Sequence, residues 1–112
     1  MNKELKDHWS RVAELGCLIS QGPATLHHCH GGSMRQFGVL RGTSQKVSDW
    51  LVIPIAMKYH TGDQGVDFIG VETWEKRFGT QVDFIDEVCL ALNVNVWKKA
   101  GIDREVPFVE SS

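Results

Sequence analysis

The chain has 112 residues, 42% hydrophobic and 23% charged, with 12 Lys and Arg against 14 Asp and Glu for a net charge of −2. A chain of that length makes one domain with a small core, and its charge balance excludes a bulk polycation, so nucleic-acid contact needs a local basic surface. No apolar run approaches the roughly 20 residues of a membrane helix, and residues 1–8 lack the apolar centre of an export signal.

In chain order, residues 3–16 are expected to form an amphipathic helix, with Leu5, Trp9, Val12, Ala13 and Leu15 at helical spacing and Gly16 as its stop. Residues 17–19 suggest a short buried strand. Gln21-Gly22-Pro23 is a turn signal, and residues 24–28 are a short strand ending on polar side chains. Residues 31–48 hold four glycines, Arg35, Arg41 and Lys46, and no acidic residue, which reads as a long loop. Trp50 to Ile53 is expected as the second strand, with Pro54 opening a helix that runs to His60 and ends at Gly62. A helix over residues 71–78 stops at Gly79. Thr80 caps the next helix, with Asp83 three residues on as a weak capping box. Residues 94–100 add a helical turn, and residues 103–112 are expected to fray. The whole is a single α+β domain. The three cysteines, at 17, 29 and 89, have no regular spacing, so they are expected to be reduced thiols in a cytoplasm.

Four of the five histidines fall in two segments, Leu26-His27-His28-Cys29-His30 and Tyr59-His60. Hydrolysing a phosphodiester needs an activated water and stabilisation of growing negative charge. An imidazole can supply the first and a divalent cation the second. Adjacent histidines at a strand end point to opposite faces, so one can ligate a metal while the other polarises water. His60 and Asp67 can complete the ligand set. Their separation of seven would put both on one side of a continuous helix, but Gly62 and Gly65 interrupt it.

Each of these residues also has a plainer reading. A His pair is often only a hydrogen-bonded structural pair. Cys29 reads as a small buried residue, His8 as a surface or capping residue, and His30 as either a site member or a solvent-facing ring. Arg35, Arg41 and Lys46 are either phosphate contacts or a solvated loop. Trp50 and Trp74 are assigned to the core.

Taken in order, several short pieces carry a resemblance over about residues 8–88: His8-Trp9-Ser10-Arg11-Val12-Ala13-Glu14-Leu15-Gly16-Cys17, Leu26-His27-His28, Gly31-Gly32-Ser33-Met34, Ser48-Asp49-Trp50-Leu51-Val52-Ile53-Pro54-Ile55, His60-Thr61-Gly62 with Gly65-Val66, Glu72-Thr73-Trp74-Glu75 and Phe78-Gly79-Thr80. The chain resembles the phage HNH nucleases of the recombination-enhancement (Ref) type. The resemblance implies a ββα-metal core flanked by an N-terminal helix and C-terminal helices, and metal-dependent DNA cleavage. It implies His27 as metal ligand, His28 as general base and His60 as a second ligand, with Asp67 where relatives usually carry another His. Asp49 is the nearest candidate for the motif's middle polar position, orienting a His ring or bracing the loop.

The chain departs from that pattern at the structural zinc knuckle. The first half reads Cys17-Leu18-Ile19-Ser20 and the second Ala56-Met57-Lys58-Tyr59. One thiol cannot supply the four ligands of a structural zinc, so none is expected and the apolar core takes its role. Asp67 in place of His favours Mg²⁺ or Mn²⁺ for the one catalytic cation, with Zn²⁺ or Ni²⁺ also compatible.

The expected function is therefore a metal-dependent DNA endonuclease of phage type, acting in recombination or DNA processing in a bacterial cytoplasm. DNA is its partner, together with a host recombination protein. The alternatives are an inactive HNH-fold module that binds DNA or a host protein, and a structural protein whose metal only holds the fold.

Overall fold

The computed structural model describes residues 2–40, 48–107 and 109. The first element, α1 (Lys3–Glu14), starts where the Asn2 side chain accepts from the Leu5 amide at 2.8 Å. It buries Leu5, His8 and Val12, one stripe at helical spacing. His8 is thus a core residue, not the surface or capping residue expected: its Nε2 donates to the Trp50 carbonyl at 3.3 Å. Trp50 is only half-buried, its ring lying 4.9 Å from that of His8.

Residues 17–19 form a turn, not a strand. The turn is pinned by the Cys17 amide on the Gly22 carbonyl and the Leu18 amide on that of Pro54. The Cys17 sulfur accepts from the Ser20 amide and hydroxyl, both at 3.4 Å. Burial raises this thiol, but the Ser20 hydroxyl and the Ser20, Ala56 and Ile19 amides outweigh it and hold the group below the ordinary thiol range.

Strand β1 (Thr25–His28) pairs antiparallel with β2 (Val52–Ile55), with His27 opposite Ile53 and His28 opposite Val52. Pro54 lies inside β2 and does not open a helix. Its carbonyl bonds Leu18 at the outer edge of the hairpin, and N and O of a strand residue face the same side. The missing N–H therefore costs the β1–β2 ladder nothing. Between the strands, Gly32–Phe37 winds into a 3₁₀ helix within the stretch read as loop.

Two one-turn helices follow, α2 (Met57–His60) and α3 (Val66–Ile69), then α4 (Val71–Phe78), α5 (Gln81–Leu92) and α6 (Val96–Lys99). The Thr80 hydroxyl caps α5 by accepting from the Asp83 amide at 3.1 Å. One face of the hairpin meets α1, where the edge of the Trp9 ring meets His28. The other meets α4 and α5, where Trp74 and Gln81 lie against His27. Tyr59 packs its ring on Phe78 at 5.0 Å. Among the described residues no helix is long and apolar enough to cross a membrane.

Candidate metal centre

The alternation of β1 separates its two terminal histidines. His27 is 2% exposed and faces α5, while His28 is more open and faces α1. On the His27 side the chain doubles back. A Cβ on Gly65 would lie 2.5 Å from the His60 carbonyl oxygen, so only glycine lets the backbone fold this tightly between α2 and α3. The tight link carries Asp67 back to His60. One potential ligand atom from each of His27, His60 and Asp67 lies within 4.8 Å of the others, so this group can hold a metal ion.

The bonding of His60 shows how the group is set. The Thr25 hydroxyl has one proton, which it donates to the Ile55 carbonyl at 2.9 Å. It therefore accepts from His60, whose Nδ1 lies 2.9 Å away and must carry a proton. In neutral His60 the lone pair is then on Nε2, which lies 3.8 Å from Asp67 Oδ2. That is too long for a hydrogen bond. It is about half an ångström beyond the roughly 3.3 Å between two ligands of a tetrahedral cation at 2.0–2.1 Å bond lengths. A lone pair and a carboxylate oxygen so placed can both reach one cation.

His27 is held neutral. Burial pushes its pKa down to about 4, the Gln81 side-chain bond opposes this, and nearby His60 and His30 add to the lowering. A neutral imidazole is the ligand form. The donor set is thus two imidazoles and one carboxylate, and it fits a divalent cation that keeps open positions.

Asp67 opens the centre to a cleft of about 570 Å³, which His30, Arg35 and Glu72 also line. Arg35 stands 4.0 Å from Glu72, both well exposed. Arg41 and Lys46, its expected partners in phosphate binding, lie outside the described residues.

His28 and Asp49 pair with each other, Nε2 to Oδ1 at 3.0 Å. The Asp49 carbonyl also accepts from the Trp9 indole at 2.7 Å, which fixes the loop carrying the carboxylate. With Nε2–H on the carboxylate, the lone pair of neutral His28 is on Nδ1. The structure thus brings His27, His60 and Asp67 together and places His28 with Asp49 at the same strand end, on the opposite face.

Sequence reasoning missed Thr25, Gln81 and Glu75. Gln81 is fully buried and carries His27 Nε2 on its amide oxygen at 2.9 Å. Glu75 accepts from the Ser33 amide at 2.9 Å and hydroxyl at 2.5 Å and from the Gln81 amide at 2.8 Å. A signal for Gln81 was present: it shares a helical stripe with Ile85 and Val88, so it is a polar side chain at a core position. Comparison with protein-family models, with curated proteins and with solved structures finds no match.

Proposed function

We propose that this protein is a metal-dependent endonuclease that hydrolyses DNA phosphodiesters, built on a ββα-metal core formed by β1, β2 and α2. The observation that carries the reading is the convergence of His27, His60 and Asp67 at the end of the hairpin whose next residue, His28, is paired with a carboxylate. His27, His60 and Asp67 would hold one divalent cation. When bound, that ion stabilises charge on the phosphate and on the leaving oxygen. His28 takes the proton of the attacking water at Nδ1, and Asp49 orients the ring and stabilises its charged form. Arg35 contributes positive charge at the cleft wall. Two nitrogens and one oxygen suit Mn²⁺ or Zn²⁺ better than Mg²⁺, which prefers oxygen alone.

The charges of the cleft support a requirement for metal. Asp67 and Glu72 face Arg35 there, so the lining as described repels a phosphate backbone until a divalent ion reverses the balance. Among the described residues no helix is set to read bases, and cleavage is proposed to follow DNA structure and not sequence.

Supercoiled plasmid, single-stranded DNA and a branched substrate incubated with Mn²⁺, Mg²⁺ or EDTA test this. Nicking should require metal, and His28→Ala should slow it by about 10²–10⁴-fold. Metal binding without cleavage of any substrate would sink the enzyme. A second reading, a metal-held module that binds DNA or a host protein, would then stand. It draws on the placement of His28 on the opposite face of the hairpin from the three clustered residues.

A further inference from the structure

Among the described residues the buried polar side chains are those of His8, His27 and Gln81; Gln81, fully buried, is the deepest of them, and its bonds fix which way its amide is turned. The backbone amide of His30 can only donate, and it meets Oε1 at 3.2 Å. The backbone carbonyl of His30 can only accept, and it meets Nε2 at 2.9 Å. Rotating the amide by half a turn would break both bonds, so Oε1 is the atom presented to His27. An amide oxygen cannot donate. His27 Nε2, 2.9 Å from it, must therefore carry the proton, and the lone pair of the neutral ring is on Nδ1.

We propose that Gln81 is a positioning residue for the metal centre, holding His27 in the Nε2–H tautomer so that it ligates through Nδ1. The inference rests on the metal-centre reading given above and deepens it. The two imidazoles of the centre then bind through different nitrogens, Nδ1 for His27 and Nε2 for His60, because different elements hold their outer nitrogens. Thr25 on β1 holds His60, and Gln81 on α5 holds His27.

Gln81 is itself anchored. Its backbone amide donates to Glu75, and the same carboxylate gathers Ser33 from the 3₁₀ helix. The Ser33 hydroxyl in turn accepts from the Val82 amide at 3.3 Å. The start of α5, the side of α4 and the chain after β1 are thus tied into one frame around a single ring. A partner of this kind typically changes metal affinity about 10–100-fold without touching the metal.

The test uses the full-length, ¹⁵N-labelled protein, with Zn²⁺ as a diamagnetic probe. Long-range ¹H–¹⁵N correlations should show His27 as the Nε2–H tautomer in EDTA and as Nδ1-bound after Zn²⁺ is added. Gln81→Met should weaken Zn²⁺ about 10–100-fold in a chelator competition and mix the His27 tautomers. Gln81→Glu, which keeps an acceptor for Nε2–H, should recover part of that loss. If Zn²⁺ sits on His27 Nε2 in the wild-type protein, the proposal is overturned, and that measurement needs no variant to fold. Equal Zn²⁺ affinity in the wild type and Gln81→Met also overturns it while leaving the metal centre intact. A wild-type protein that binds no Zn²⁺ overturns the metal centre and this inference with it.

Discussion

At the scale of single residues, His27 links the centre to pH. Its ordinary value is 6.5, and burial takes it to about 4 in the folded chain. Between those values the unfolded chain binds the extra proton, so stability is fully present above about pH 6.5 and falls as the pH drops toward 4. The shift corresponds to about 3 kcal/mol across that window. His8, lowered mainly by burial, acts in the same direction. In EDTA, the urea midpoint should fall between pH 7.5 and pH 5, and by less in His27→Gln. A flat profile would show that His27 takes up its proton without cost. Residue types made His60, Asp67 and one of the pair His27 and His28 legible as candidate ligands, because imidazole and carboxylate chemistry is carried by the side chain alone; the resemblance pointed to His27. Thr25 and Gln81 were not legible, because a hydroxyl or an amide acquires its role only from where it lands.

At the scale of elements, the centre depends on how sharply α2 turns into α3. A Cβ on Gly65 would meet the His60 backbone, which cannot swing aside as a flexible side chain would. Gly65→Ala should therefore cost about 1–3 kcal/mol and move His60 away from Asp67. Zn²⁺ affinity should fall along with the melting temperature. Asn2→Ala is the contrast: it removes the cap of α1 at a cost of about 1 kcal/mol and should leave Zn²⁺ affinity unchanged. Equal loss of affinity in both variants would mean that general destabilisation, not the turn, sets the site. Gly62 and Gly65 were readable as breaks in a helix. Their reason, the close approach of two backbone segments, was not. Pro54 misled for a related cause: its suitability for a helix start is local, whereas its place at the outer edge of β2 depends on pairing with Leu18.

At the scale of the whole molecule, the C-terminal elements close the core away from His27, His60 and Asp67. Trp97 is fully buried, and its indole donates to Asp86 at 2.8 Å. Arg104 binds the same carboxylate at 2.7 Å, and Val106 is buried, so the start of the segment expected to fray is packed. Asp86→Ala leaves a buried N–H unsatisfied and should cost about 1–3 kcal/mol. At about 4 °C per kcal/mol for a domain of this size, differential scanning calorimetry would show a drop of several degrees. Zn²⁺ affinity should not change, since no described contact of Asp86 reaches the centre. A large affinity loss would mean that the two ends of the molecule are coupled.

Several features followed from the amino-acid sequence alone. They are the α+β class, helix α1, the Thr80 cap, helices α4 and α5, and imidazole and carboxylate side chains able to take a cation. Each rests on periodicity, capping or side-chain chemistry, which act within a few residues. The tertiary structure alone decided which nitrogen of His60 faces Asp67, that His28 turns to the α1 face with Asp49, and that Gln81 reaches His27 across 54 positions of sequence. These outcomes depend on contacts between distant segments, whose geometry is set by the packing of the whole core.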